Sequence, residues 1–275
     1  MSAPASAWER PLEARIGMPS AARADARAHV TIRIGGVPYG VGAPLLGDLD
    51  PSHDVEIVRE PPTAMIPMLR AGELDAALLS SVEAIRRPGY TVAGGIGIAC
   101  KQEIRSVRAF RRRGRPVRTV GCDRSSATTV ALLRLLLQHP RAADVAGTPE
   151  FDTVAPTLRP DELPHDLVML IGDPGLNADG GDREIWDLGT EWVRWTGLPF
   201  VFALWVLRPG VDHAAVLPLL QEARASGRVR GAVDGTDGAA HYDLDAADLE
   251  GVRRFWRECR AAGLGDAPDP EFVTR

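Results

Sequence analysis

The sequence predicts an α/β protein of two lobes about a ligand cleft. Three observations carry that expectation. Short β-prone runs alternate with helix-prone runs in both halves, their connections are short, and after residue 200 the chain turns back to pack on its first half. With 275 residues, of which 45% are hydrophobic and 25% charged, there is material for two modest cores.

The first 28 residues are rich in Ala, Arg and Pro and lack the continuous apolar core of a secretory signal, so residues 1–28 read as a disordered tail. His29 to Val37 alternates apolar and polar residues and breaks at Gly35-Gly36, as a first strand leading into a ligand-facing loop, Pro38 to Leu45, would. Val55 to Arg59 is a second strand. Pro62 opens a helix over Thr63 to Ala71 that Gly72 ends, and Leu74 to Leu79 is a third strand. This β-α-β order implies neighbouring parallel strands with ligands at their carboxyl ends, where Ser80-Ser81-Val82-Glu83 stands. Val92 to Cys100 and Ser106 to Arg111 are two more strands near the hinge, and the basic run 111–118 leads onward.

The run 117–138 organises the second lobe. Val117 to Gly121 is β-prone, Asp123 to Thr129 is hydroxyl-rich, and Val130 to Leu137 is apolar and helix-prone, which makes a strand, a polar turn and a helix capped by Ser125 or Ser126. A helix that starts among small hydroxyl residues presents unpaired N–H groups, the positive end of its dipole and several O–H donors to one spot. Such a spot suits a carboxylate or phosphate; ordinary capping explains the same serine without any ligand.

Pro140 to Pro164 has little periodicity, and Asp166 to Ile171 is the continuous apolar run of a buried parallel strand. It ends in Gly172-Asp173-Pro174-Gly175, where Asp173 meets the expected cleft as a base, as a holder of the serines, or as an Asx-turn residue. Trp186, Trp192 and Trp195 precede the return crossing Leu198 to Trp205, an aromatic stretch that reads as core, with Phe200 placed to touch a ring-shaped ligand. Ala214 to Ala225 and Asp248 to Ala262 are helices packed on the first lobe, with Asp245 as a cap. The Gly-rich stretch 227–238 between them has no phosphate-loop pattern. The lobes are then 29–112 with 200–275, and 113–199.

A net charge of -5 argues against a nucleic-acid binder with a broad basic surface, and Arg111 to Arg115 reads as a solvated connector. No segment approaches the length of a membrane span. Three widely spaced cysteines, with no Cys-x-x-Cys and no companion His, fit a reducing cytoplasm and no metal. Cys122 beside the hydroxyl cluster is either a nucleophile or a buried strand thiol.

The pattern D-x-S-S-x-T-[ST]-V-A-L at Asp123, Ser125, Ser126, Thr128, Thr129, Val130, Ala131 and Leu132 resembles the signature of the MqnA family, the chorismate dehydratases of the futalosine route to menaquinone. Val37, Tyr39, Pro44 and Leu45 match the family's V-S-Y-L-N-T-x-P-L, and Ser81 and Glu83 match its I-P-S-x-E, with Ser80 replacing the proline. Ile171 to Asp173 matches I-G-D, and Asp187 to Trp205 matches D-L-G-x-E-W … T-G-L-P-F-V-F-A-x-W. Val41 departs from the pattern, standing where the family has an asparagine that faces substrate.

The resemblance runs from about residue 30 to the end. It implies the type II periplasmic-binding-protein-like fold and elimination of water from chorismate to give 3-[(1-carboxyvinyl)oxy]benzoate, with no metal or redox cofactor. It places one carboxylate of the ligand at Ser125, Ser126, Thr128 and Thr129, with Tyr39 and Ser81 on the facing lobe. Ser81, Glu83 and Asp173 are the candidates for the chemistry, Glu83 alternatively being a first-turn carboxylate that complements a short helix. Two other functions stand beside this one. The first is a non-catalytic small-carboxylate binding protein of the same fold; the second is the dihydroxynaphthoate-forming enzyme of the same pathway, whose P-N-D-T segment is absent from Pro38 to Val41.

Overall fold

Alternating short strands and helices build two sheets in the protein, whose computed structural model describes residues 31–38, 40–47, 49, 54–123, 125–139, 145–229 and 239–274. The expected tail 1–28, Tyr39 and residues 230–238 of the Gly-rich stretch lie outside the described residues. In chain order the elements are β1 Ile32–Gly36, α1 Ala43–Leu46, β2 Val55–Arg59, α2 Pro62–Ala71, β3 Ala76–Ser80, β4 Thr91–Cys100 and β5 Val107–Arg111. Next come β6 Val117–Cys122, α3 Ala127–Gln138, β7 Val145–Thr153, β8 Leu167–Ile171, α4 Gly172–Asn177, β9 Glu184–Asp187 and α5 Leu188–Thr196. The return is β10 Phe200–Leu207, α6 His213–Val229, β11 His241–Asp243, α7 Ala246–Ala261 and β12 Glu271–Val273.

The first sheet runs β11-β4-β10-β3-β1-β2, with β12 added alongside β4. Strands β1, β2 and β3 are parallel, as the β-α-β order requires, and β10 comes back antiparallel between β3 and β4. Every residue of β3 is buried, the pattern of a central strand covered on both faces. Helix α2 packs closely over β1 because Gly35 has no side chain: a Cβ there would stand 2.7 Å from the Met65 sulfur and 2.9 Å from Leu74 Cδ1. The helix ends where Gly72 takes the left-handed conformation, φ 77°.

The second sheet runs β7-β6-β8-β5-β9. Three of its features differ from the sequence expectation. Strand β5 pairs antiparallel with β8 and β9, so the second sheet takes in residues before 113. Strand β7 occupies a stretch that shows no period in the sequence, because Gly147 and Pro149 interrupt it; as an edge strand it tolerates them, and the register shifts between Val117 and Thr119 of β6 to absorb the irregularity. Helix α4 begins at Gly172, whose φ of 63° turns the chain out of β8.

Trp192, Phe200, Trp205, Phe255 and Trp256 are all buried, and Trp192, Phe200 and Phe255 pack on one another as an aromatic core. Phe200 sits edge-on to Trp192, Phe202 and Phe255, with ring centroids 5.3, 4.6 and 5.0 Å away. Two of the buried indoles find partners, Trp192 donating to the Pro199 carbonyl at 3.1 Å and Trp256 to the Ser81 carbonyl at 2.9 Å, while Trp205 Nε1 has none among the described residues. Helix α7 starts with a capping box in which the Asp245 carboxylate accepts the Ala247 and Asp248 N–H groups, a device contributing about 1 kcal/mol. No described helix is long and apolar enough to cross a membrane.

Candidate functional site

A cavity of about 370 Å³ opens where the carboxyl ends of β1, β3, β6 and β8 face each other, a size in the small-molecule range. The first sheet contributes Val37, Val41, Pro62, Ser80, Ile98, Phe202 and Ala203. The second contributes Ile104, Ser106, Val107, Asp123, Ser125, Ser126, Thr129, Pro156 and Ile171 to Pro174. Most of this wall is apolar, and its polar groups gather at the start of α3 and at Asp173.

Ser126 is the N-cap of α3, extended at φ -134°, and its Oγ accepts the Thr129 N–H at 3.4 Å. The same Oγ lies 3.3 Å from Ser80 Oγ, which reaches it from the end of β3. Thr129 Oγ1 donates to the Ser126 carbonyl at 2.9 Å. Ser125 donates both its N–H, at 2.9 Å, and its hydroxyl to Asp123 Oδ1. Short hydroxyl side chains make such local bonds readily, which folds the turn tightly and brings the start of α3 to the cavity wall. Among the described lining residues two are acidic and none is basic, so the helix end is what this corner offers an anion.

Thr128 belongs to the same turn and does not line the cavity. It is fully buried; its Oγ1 accepts the Val82 N–H at 3.2 Å and lies 3.3 Å from Ser81 Oγ. Ser81 in turn donates to the Val201 carbonyl at 2.7 Å. The pair expected to touch ligand is a buried joint between the two sheets instead, because the helical turn sends Thr128 to the opposite side of α3 from Ser126 and Thr129.

Glu83 is also turned away. It sits in the 3-10 turn Ser81–Ile85, where its buried carboxylate accepts Arg70 Nε at 2.9 Å and Nη2 at 2.6 Å, with Arg86 Nη1 at 3.9 Å. A buried charge is tolerated only when paired, and this pairing fixes the turn that delivers Ser80 to the cavity. Phe200 is enclosed in the aromatic core, and Phe202 takes its place at the wall. The register shift between Val201 and Ala203 breaks the alternation of β10 there. Tyr39 lies outside the described residues.

Asp173 stands at the wall, exposed, in the first turn of α4. Its carboxylate takes no hydrogen bond and no ion pair among the described residues, so no Asx-turn bond occupies it. Cys122 is a free buried thiol in β6, and burial pushes it up to about 12, which leaves no thiolate to act as a nucleophile at neutral pH. Among the described residues no group of three or more His, Cys, Asp or Glu stands as metal ligands would.

Residues that reasoning from the sequence did not single out as contacts include Ser80, Ile104, Ser106 and Phe202. Ile104 and Ser106 are held at the wall by Asp187, whose carboxylate accepts the Ile104 and Arg105 N–H groups, at 3.1 and 2.6 Å, while capping α5 through Thr190. Arg105 is the described non-glycine residue at positive φ, 60°, and this carboxylate grip stabilises that conformation. The one available signal was the Asp before Leu188-Gly189, readable as a cap but not as a grip on a segment 82 residues earlier.

A protein-family model described as menaquinone biosynthesis matches residues 32–234. A chorismate dehydratase from Thermus thermophilus is 28% identical over 218 residues, covering 69% of this chain and 78% of that protein. Among solved structures, the periplasmic aliphatic sulphonate binding protein of Escherichia coli superposes with a TM-score of 0.54 at 15% identity, covering 89% of this chain and 94% of that one. An ABC transporter protein from Parabacteroides distasonis gives 0.53 at 15% identity, covering 90% and 99%. A Candida albicans protein described as having the generic periplasmic binding protein fold gives 0.51 at 11% identity, covering 89% and 98%. These likenesses identify the fold as the periplasmic-binding-protein type, two lobes with a cleft between them.

Proposed function

The chain belongs to the menaquinone biosynthesis family, and from that premise we propose that it is a chorismate dehydratase, a carbon–oxygen lyase that eliminates water from chorismate to give 3-[(1-carboxyvinyl)oxy]benzoate. The observation that carries this reading is the joint presence, in one cavity, of a helix start at Ser125, Ser126 and Thr129 and a carboxylate at Asp173 that takes no partner among the described residues. A relative that bears the name chorismate dehydratase supports it.

In this reading one substrate carboxylate lies against the start of α3 and the Ser126 hydroxyl, with Ser80 reaching in from the facing lobe, the Ser125 and Thr129 hydroxyls bracing the turn through Asp123 and the Ser126 carbonyl. The ring packs on Val41, Ile98, Ile104 and Phe202, away from water. Asp173 takes the ring proton, the C–H electron pair becomes the new ring double bond, and the C–O bond breaks. The hydroxide leaves with that proton as water, which returns Asp173 to its carboxylate. Aromatisation supplies the driving force, and the overall change is redox-neutral. Ser81, Thr128 and Glu83 act behind the wall, fixing the two lobes and the 3-10 turn against each other. The lobes divide within residues 101–106 and again before β10, and three free thiols fit a cytoplasmic protein with a small-molecule substrate.

The test is purified protein with chorismate, followed by mass spectrometry for a product lighter by one water, beside a no-enzyme control. Turnover supports the dehydratase. Saturable binding without product favours the second reading, a non-catalytic carboxylate-binding protein, for which the isopropyl group of Val41 at the cavity wall is the specific indication. Neither binding nor product removes both.

A further inference from the structure

We propose that Asp123 contacts the ligand directly, its Oδ2 accepting a hydrogen bond from the ligand's ring hydroxyl, and that this contact makes the site selective for the hydroxylated ring over its dehydrated product. The inference rests on the dehydratase reading and assigns a contact to a carboxylate that reading leaves unused.

Asp123 follows β6 directly, and its N–H donates to the Met169 carbonyl of β8 at 2.9 Å, so its backbone is fixed to the sheet. The side chain is 2% exposed, yet it lines the cavity. Its two oxygens are treated unequally. Oδ1 takes both Ser125 donors, the N–H and the hydroxyl. Oδ2 takes no partner among the described residues and is not one of the sealed, unpartnered interior atoms, so the surface it retains is at the cavity wall.

A nearly buried carboxylate oxygen without a donor is a costly arrangement, and the partner that would relieve it must carry an N–H or O–H. The carboxylates of an anionic carbocycle have no proton to give at neutral pH and are repelled by Asp123. The ring hydroxyl is the group that fits. The ligand is thereby oriented: its carboxylate goes to the start of α3 and its hydroxyl to Asp123. Once the hydroxyl has left as water, Oδ2 loses its donor while the ligand keeps both carboxylates, so product is held more weakly than substrate.

The experiment compares wild type with Asp123→Asn and Ser125→Ala, measuring kcat/KM for chorismate and the inhibition constant of 3-[(1-carboxyvinyl)oxy]benzoate. In Asp123→Asn the Ser125 donors hold the amide oxygen, which places an NH2 donor where Oδ2 stood and turns an acceptor into a donor. The expected result is a fall in kcat/KM of about 100-fold or more, with the product constant changed by less than about threefold, a retained affinity that also shows the variant is folded. Ser125→Ala is expected to lower kcat/KM by less than Asp123→Asn. An equal loss of substrate and product affinity in Asp123→Asn, matched by Ser125→Ala, would mean that Asp123 only braces the turn, and no loss at all would equally overturn the contact. Either result leaves the dehydratase reading standing. A wild-type chain that neither binds nor converts chorismate removes that reading, and the inference with it.

Discussion

Replacing Thr128 with valine removes one hydroxyl and keeps the shape of the side chain. In the native protein that hydroxyl is buried, accepts the Val82 N–H at 3.2 Å and lies 3.3 Å from Ser81 Oγ. Ser81 keeps its other partner, the Val201 carbonyl at 2.7 Å, so its loss is small. The Val82 N–H, buried with its residue, loses the acceptor it has, and an orphaned donor of this kind costs about 1–3 kcal/mol. The methyl group that replaces the hydroxyl returns less than about 0.8 kcal/mol because it is pressed against that N–H. The net expectation is a destabilisation of about 2 kcal/mol, or a fall in Tm of roughly 4–8 °C for a chain of this size. Urea denaturation should show a lower midpoint at unchanged slope, while KM for chorismate stays within about threefold. Unchanged stability together with a large rise in KM would refute the reasoning, since it would mean that the hydroxyl serves the ligand and not the joint between the sheets.

Asp173→Asn should lower kcat by about 10²–10⁴-fold with little change in KM, measured by steady-state turnover of chorismate, and a KM effect alone would remove Asp173 from proton transfer. Val41→Asn restores an amide at the cavity wall and should raise kcat/KM; an unchanged or lower value would show that the apolar wall suits this chain's ligand. The Lys101 ammonium, hydrogen-bonded to Asp245 at 2.8 Å, holds that carboxyl down at about 2, and the Asp248 N–H adds to the effect. A depressed carboxyl contributes stability that is fully present above its unfolded value near 3.9 and is lost as pH falls from there toward about 2. Lys101→Met should therefore show a shallower loss of urea midpoint than wild type between about pH 5 and about pH 2.5, and parallel curves would contradict the assignment.

Local signals along the chain were sufficient for many of its elements. Gly72 ends α2 in the left-handed conformation, Ser126 caps α3 and Asp245 caps α7, each readable because capping involves residues within four positions of one another. The strand, polar turn and helix of residues 117–138 were legible for the same reason. Strand β7 was not, since Gly147 and Pro149 hide its period and only its edge position makes them acceptable.

What the sequence by itself determined is the two-lobe α/β plan, its family, and the hydroxyl-rich helix start as the organising corner of the cleft. Which side chains of that corner face the cavity was decided only in three dimensions. Ser126 and Thr129 stay at the wall while Thr128 turns to Ser81, a partner 47 residues away, and Ser81 turns to Val201, 120 residues away. Glu83 turns to Arg70, and Phe200 sinks among Trp192 and Phe255 while Phe202 takes the wall. The physical reason is common to all of them. A buried hydroxyl, carboxylate or ring goes where its desolvation is compensated, and the groups that compensate it come from the other lobe or from a distant strand.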